Sequence, residues 1–364
     1  MSDSVETVRV DLGPRSYDIE IGAGTLAEAG RFLAARGRVS HAVIVTDDHV
    51  EDPHALTVGE SLGEASIRTD LVVVESGEPS KSVEMATALW EKLLQLNADR
   101  KTVVVAVGGG VVGDLAGFAA ATFARGARFV QVPTSLLAQV DSSVGGKVGV
   151  NLPAAKNMVG AFLQPIGVLI DTATLDTLDD REYRSGLAEV VKYGVILDGE
   201  FFAYLEANQA GLVERDHAVL RRVIARCCRL KADIVEQDER EETGVRTVLN
   251  YGHTFAHAYE ALSGYGELLH GEAVAMGMLC ASRLAERLGR VDAEFTARQE
   301  RLLAGLGLPT EMPDLKAGQV LRTMMHDKKV EHGRLRFVLP VGMGKVELVA
   351  DVDPDEVRAV LERE

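Results

Sequence analysis

Five short apolar runs constrain the fold of this chain more than any other feature: Ala42 to Val45, Leu71 to Val74, Val103 to Val107, Phe129 to Val132 and Val168 to Ile170. Uninterrupted runs of this length predict parallel strands covered on both faces. Helical patterns stand between several of them, notably Val83 to Leu96 and Val111 to Ala124, so this half reads as βαβ units on a parallel sheet. Ahead of them, alternation at Val8, Val10, Leu12 and at Tyr17, Ile19, Ile21, with Gly13 and Pro14 between, predicts a hairpin. After about Asp180 the strand signal fades into amphipathic helices over Glu182 to Ile196, Phe201 to Asn208, His217 to Glu236, Gly252 to Leu262, Glu272 to Leu288 and Ala293 to Leu303. Leu335 to Val349 is the exception, a predicted hairpin. At 364 residues the chain exceeds the usual single core, so the expectation is two domains, residues 1–180 and 181–364, with a cleft between them. No internal repeat or low-complexity linker interrupts this pattern.

Charge excludes two partner classes. Fifty-five acidic against 39 basic residues leave a formal charge of −16, with no basic run, which disfavours nucleic acid and anionic membrane. The N-terminal MSDSVETVRV has neither the basic nor the apolar region of a signal peptide, and no apolar stretch approaches a membrane span; the protein reads as cytoplasmic. Cys227, Cys228 and Cys280 lack CxxC spacing and read as buried thiols rather than metal ligands.

The run Val103 to Val107 opens into Gly108, Gly109, Gly110, Val111, Val112, Gly113 and Asp114 ahead of an apolar helix. Glycines let backbone approach a pyrophosphate closely, and a helix start presents free N–H groups and partial positive charge. The letters contain GxGxxG, but the turn does not open the first βαβ unit and no acid follows about 20 residues later, as the ordinary dinucleotide fingerprint requires. Strand-to-helix packing alone is the competing reading, and Asp114 either stabilises the first helical turn or meets cofactor or substrate. Pro133, Thr134, Ser135 and Asp171 to Thr174 follow other strands. Their hydroxyls either cap helices or line the nucleotide-binding crevice that open α/β sheets form beyond the carboxyl ends of their strands.

Residues 139–162 read as a glycine-rich loop flanked by apolar helices, carrying Asp141, Lys147, Lys156 and Asn157. Its lysines offer point charges to phosphate or carboxylate, and Arg125 a planar bidentate partner for the same anions; a solvated loop is the plain alternative. Ser185, Glu189 and Lys192, at i, i+4 and i+7, share one helical face among Leu187, Val190 and Val191, where an ordinary surface Glu–Lys pair is the competing reading. Three of the nine histidines, His253, His257 and His270, fall within eighteen residues, the first two four apart on one helical face. HxxxH without the glutamate of HExxH argues against a metalloprotease. Two imidazoles with the carboxylate of Glu189 make a three-ligand site open to substrate or water, as catalytic zinc requires.

Taken in order, GGGVVGDLAGFAAATFARG, QVPTSLLAQVDSSVGGKVGVN, KNMVGAF, GLAEVVKYG, DERE, LNYGHTFAHAYE and LLHGEAVAMGM resemble the 3-dehydroquinate synthase family. SGEPSK at 76–81 and DKKVEHGRLRFVLP at 327–340 extend the likeness over nearly the whole chain. The resemblance implies an α/β N-terminal domain that binds NAD and a mainly α-helical C-terminal domain that holds metal and substrate. The implied NAD contacts are Asp47, Ser76, Gly77, Glu78, Pro79, Ser80, Lys81, Gly109, Gly110, Val111, Val112, Gly113, Asp114, Thr134, Ser135, Lys147, Lys156, Thr174, Leu175, Asp176 and Thr177. Zinc or cobalt is implied on Glu189, His253 and His270, with His257 holding substrate or relaying protons. The implied substrate, 3-deoxy-D-arabino-heptulosonate 7-phosphate, is met by Asp141, Lys147, Asn157, Lys192, Lys231, Arg246, Asn250 and one or both of Lys328 and Lys329.

The family's reaction, again by resemblance, is transient oxidation at carbon 5, phosphate elimination with the phosphate's own oxygen as base, re-reduction, ring opening and aldol closure, with no net consumption of NAD. A homodimer is implied in the same way. Ser135 stands where the family commonly has Thr, and DEREETGVR carries one residue more than the commonest form, which leaves Glu241 and Glu242 both open for the family's structural role. The rival readings are other sugar-phosphate cyclases, a metal-dependent polyol dehydrogenase and a non-catalytic nucleotide-binding protein; Lys147, Lys156, Asn157 and DKK favour the dehydroquinate branch.

Overall fold

The computed structural model of the chain describes residues 5–153, 155–264, 267–326 and 335–362. It forms two compact units, residues 1–179 with 220–240, and residues 180–219 with 241–364.

The first unit contains β1 (Glu6–Val10), β2 (Tyr17–Gly22), α1 (Ala29–Ala34), β3 (His41–Asp47), α2 (Leu56–Glu64), β4 (Arg68–Val74) and α3 (Val83–Gln95). It continues through β5 (Val103–Gly108), α4 (Gly110–Thr122), β6 (Arg128–Pro133), β7 (Lys147–Leu152), β8 (Ala155–Phe162) and β9 (Val168–Asp171). The sheet order is β1-β2-β9-β6-β5-β3-β4, parallel throughout except for the β1–β2 hairpin. All five runs are strands of this sheet. Successive residues of a strand face opposite sides. Val43, Val45, Val104 and Ala106 pack with Leu89, Leu93, Leu115 and Ala119 on one face, while Ala42, Ile44, Val103 and Val105 pack with Phe32, Leu33, Val58 and Leu62 on the other. Two apolar faces leave no polar register, which is why the runs are continuous.

The second unit is built from α5 (Asp180–Leu197), α6 (Gly199–Ala207), α7 (Gln209–Val213) and the first residues of α8 (His217–Gln237), then α9 (His253–Ser263), α10 (His270–Arg287), α11 (Ala293–Gly305) and α12 (Ala317–His326). The hairpin β10 (Arg336–Gly342) with β11 (Lys345–Ala350) and α13 (Pro354–Leu361) complete it. α10 is its centre, buried from Ala273 through Ser282 and packed against α5, α9, α11 and β10. No helix among the described residues is long and apolar enough to cross a membrane.

Two expectations change. Residues 147–162, read as part of a loop between helices, form the antiparallel β7–β8 hairpin, whose Val148 and Val150 are buried against α4. And α8, from Leu220 on, belongs to the first unit although the sequence reading assigns it to the second. Polar tethers hold it there: Glu236 accepts from the Asp11 N–H at 2.9 Å, Arg15 pairs with Glu239 at 2.6 Å, and the buried Cys228 thiol donates to the Gln139 carbonyl. Each partner lies more than eighty residues away in sequence, beyond the reach of periodicity.

Asp171, at the end of β9, accepts from the backbone N–H groups of Ala173, Gly24 and Leu26 at 2.8 to 2.9 Å while itself 2% exposed. Three donors aimed at one buried carboxylate leave three orphans when it is removed. Asp171→Ala is expected to lower unfolding free energy by on the order of 3 kcal/mol in urea titration; an unchanged midpoint would show that these bonds contribute nothing net.

Candidate active site

Because β3, β4, β5, β6 and β9 are parallel, the loops leaving their carboxyl ends lie along one edge of the sheet. Those loops and the first turn and a half of α4 supply every expected NAD contact except Lys147 and Lys156, which stand exposed on the β7–β8 hairpin. The glycines of the turn divide by task. A Cβ on Gly108 would stand 2.7 Å from Val112, and one on Gly113 2.7 Å from the Gln131 amide, so these two are packing requirements. A Cβ on Gly109 or Gly110 would meet only the Ser135 and Ser142 hydroxyls, at 3.5 and 3.2 Å. Gly109 and Gly110 thus keep the start of α4 open, and no side chain caps its first N–H groups. An uncapped helix start of this kind can accept an anion.

One hydrogen-bonded chain joins three of the motifs. Lys81, 5% exposed, donates to Asp114 at 2.5 Å and to the Asn157 side chain at 2.6 Å. The Asn157 N–H donates to Asn151, whose amide donates to Glu78 at 2.6 Å. Burial pushes the Asp114 carboxyl above its ordinary range, and the Lys81 ammonium opposes that shift. Asp141 is likewise paired, with Lys231, at 2.7 Å.

Other expected contacts are engaged in shaping their own loops. The buried Thr174 hydroxyl donates to the Asp171 carbonyl at 2.7 Å, Thr177 bonds His54 at 2.7 Å, and Ser135 accepts from the Ala138 N–H. Asp47 accepts from the His49 and Val50 N–H groups, and burial, the largest influence, raises its carboxyl. Leu175 is buried and Asp176 exposed. The sequence reading misses Gln139, fully buried, whose amide reaches the Pro133 and Asp171 carbonyls and the Thr174 hydroxyl at 3.1 to 3.2 Å, tying the ends of β6 and β9 together. Arg125 needs correction: it follows the far end of α4, exposed and ahead of β6, so within its own chain it is not part of the cluster at the carboxyl edge. Lys328 and Lys329 lie outside the described residues.

In the second unit Glu189 of α5, His253 at the start of α9 and His270 at the start of α10 bring three ligand atoms within 4.8 Å of one another. Both imidazole Nε2 atoms lie 3.6 Å from Glu189 Oε1. Ligands about 2.1 Å from a tetrahedral ion stand roughly 3.4 Å apart, so the spacing fits. Second partners aim both rings. His253 Nδ1 lies 3.1 Å from the Tyr251 carbonyl and His270 Nδ1 3.4 Å from the Glu260 carboxylate, which leaves each Nε2 as the ring nitrogen on the side of Glu189. Lys192, 2% exposed, is in direct contact with Glu189 Oε2. His257 stacks edge-on to His253 with ring centroids 5.7 Å apart. Arg246 is buried with its Nε 3.5 Å from Glu241, and Asn250 ends the same short helical segment, Val245–Asn250.

Close helix contacts place these ligands. The Gly271 N–H donates to Ser185 Oγ at 3.0 Å, and a Cβ on Gly271 would lie 1.8 Å from the Ser185 carbonyl oxygen. Gly277 of α10 would likewise bring a Cβ within 2.3 Å of the Gly252 carbonyl, one residue before His253. The metal candidates therefore sit where three helices touch backbone to backbone.

Comparison with known proteins gives the family. The family described as 3-dehydroquinate synthase N-terminal matches residues 71–185, and 3-dehydroquinate synthase C-terminal matches 186–330. A curated 3-dehydroquinate synthase of Rhodopirellula baltica is 50% identical over 99% of this chain and 98% of its own length. The chain belongs to the 3-dehydroquinate synthase family. Among solved structures, 2-deoxy-scyllo-inosose synthase in complex with carbaglucose-6-phosphate, NAD+ and Co2+ superposes with a TM-score of 0.86 at 27% identity, covering 98% of this chain and 99% of that one. The 2-epi-5-epi-valiolone synthase of Streptomyces hygroscopicus, with NAD+ and Zn2+, gives 0.86 at 28% identity and covers 95% of both. The α/β unit with its helical companion is the family's fold, as the motifs imply.

Burial alone would lower the His270 imidazole, but its hydrogen bonds to Glu189 and Glu260 outweigh that and raise it to about 10. In the metal-free chain this imidazolium stabilises the fold below its ordinary value of 6.5 and loses that contribution as pH rises through about 10. A metal must displace the proton. Apparent zinc affinity, measured by competition with a chelator, is expected to rise up to about tenfold per pH unit between pH 6 and 8; a flat profile would show that no proton leaves. Gly271→Ala is expected to weaken zinc binding at least about tenfold by displacing the start of α10, with far-ultraviolet circular dichroism unchanged; wild-type affinity would dissociate the helix contact from the ligand geometry.

Proposed function

We propose that this chain catalyses the 3-dehydroquinate synthase reaction, converting 3-deoxy-D-arabino-heptulosonate 7-phosphate into 3-dehydroquinate and inorganic phosphate, with NAD and a divalent metal, zinc or cobalt, as cofactors. The observation that carries the reading is the convergence of Glu189, His253 and His270 in a chain half identical, over nearly its whole length, to a curated enzyme of that name. The two other cyclases match at 27 and 28% identity, which favours the dehydroquinate branch.

Glu189, His253 and His270 would hold the metal, and the open start of α4 at Gly109 and Gly110 the pyrophosphate of NAD. When bound, the metal supplies Lewis acidity toward a substrate oxygen and NAD a reversible acceptor for hydride. The protein's share is placement and electrostatics. Lys192 neutralises one oxygen of Glu189 and leaves the other turned toward the imidazoles. Lys147, Lys192, Lys231 and Arg246, with Lys328 or Lys329, would attract the substrate's carboxylate and phosphate, which an acidic protein must recruit locally. Asp141, Asn157 and Asn250 would orient hydroxyls, and His257, one turn from His253, would hold substrate or pass a proton. We take the protein to be a phosphorus–oxygen lyase of the cytoplasm that works as a homodimer, a reading supported by the family motifs.

Purified protein given the heptulosonate phosphate, a trace of NAD and zinc or cobalt is expected to release phosphate with no build-up of absorbance at the NADH maximum. Stoichiometric NADH would indicate a dehydrogenase, and absent phosphate release would refute the assignment. His270→Ala is expected to lose both bound metal and activity while remaining folded; full metal content by atomic absorption would remove it from the ligand set.

A further inference from the structure

We propose that Glu260 orients His270 and sets how tightly the metal site binds its ion. The proposal rests on the assignment of Glu189, His253 and His270 as ligands. Glu260 lies on α9 seven residues after His253, hence on the same helical face, and its Oε1 is 3.4 Å from His270 Nδ1. A carboxylate accepts, so Nδ1 carries a hydrogen toward Glu260, and Nε2, on the side of Glu189, is the nitrogen left for a metal once its own proton is displaced.

The two ligand histidines differ in this respect. His253 is turned by an uncharged group, the Tyr251 carbonyl, whereas His270 meets a charged carboxylate that is 15% exposed. A charge-assisted bond holds a ring more firmly and makes the opposite nitrogen more electron-rich. His270 has the greater need of it. As the first residue of α10 it has no preceding turn of its own helix for the ring to lie against, and its side chain is 34% exposed, against 12% for His253. Glu260 therefore links the helix carrying one ligand to the ring of another. Its own position is firm: the neighbouring Ala258 and Tyr259 are buried, and Tyr259 bonds Cys280 of α10 at 3.1 Å. Glu260 is a positioning residue, and its effect should be on the metal before any chemistry.

The test is Co2+ binding to the whole chain, without NAD or substrate, followed by titration and by the visible d–d absorption of the bound ion. Glu260→Ala is expected to weaken Co2+ binding about 10- to 100-fold and to shift or broaden the absorption. Glu260→Gln, which keeps an acceptor oxygen and the side-chain length but no charge, is expected to fall between wild type and alanine, with a metal-free melting temperature close to wild type. It carries the test should the alanine variant fold poorly. Wild-type affinity and spectrum in Glu260→Gln and Glu260→Ala would overturn the proposal, as would loss of affinity without spectral change and in proportion to lost metal-free stability. His270→Ala is the separating arm: if it binds Co2+ like wild type, the ligand assignment itself fails, whereas its loss with an unaltered Glu260 series refutes the orienting role alone.

Discussion

The carboxylate of Glu189 is the interaction on which the helical unit depends. A carboxylate 1% exposed among Leu187, Val190 and Val191 is costly to keep ionised unless cations or donors surround it. Lys192, one turn along α5, supplies one partner from the same helix. The others come from elsewhere: His253 and His270 open α9 and α10 and reach the same carboxylate oxygen. The groups around this charge thus come from three helices that meet here. The Ser185–Gly271 and Gly252–Gly277 approaches are the form that meeting takes, possible because glycine removes the atoms that would intervene. The group that would hold a metal is the same group whose burial organises the helices.

The sheet unit works by another logic. Its candidate for holding an anion is main chain: a strand end, a turn in which Gly109 and Gly110 leave space, and the uncapped start of α4. Side chains around it mostly act on each other. Lys81 holds Asp114 and Asn157 together, Gln139 ties the ends of two strands, and Asp171 holds the exit of the N-terminal hairpin. Mutually bonded groups of this kind would hold the backbone rigid before a ligand arrives, and such rigidity lowers the cost of binding.

The strands and long helices were legible in the sequence because each rests on local periodicity, and the five apolar runs are strands to within a few residues. The β7–β8 hairpin was not, since Gly149 and Gly160 dilute its alternation. Glu260 was within reach: His253, His257 and Glu260 stand at i, i+4 and i+7, the spacing that singled out Ser185, Glu189 and Lys192. The hydroxyls of Thr174 and Thr177 show the opposite limit. Their positions beyond a strand end fit a ligand contact and a loop-shaping bond equally, and only their observed partners, Asp171 and His54, distinguish the two.

By itself the sequence determined which strongly periodic segments are strand or helix, which residues could serve as ligands, and the family, because these depend on residue type and spacing along the chain. Tertiary structure decided that Glu189, His253 and His270 converge, that Arg125 stands away from the glycine turn of its own chain, and that α8 from Leu220 packs with the sheet unit. These depend on contacts between residues tens to hundreds of positions apart, made by buried charges and close backbone approaches that no local pattern encodes. The site candidates could therefore be named from the sequence, but the ring orientations that would let two of them bind a metal belong to the folded chain.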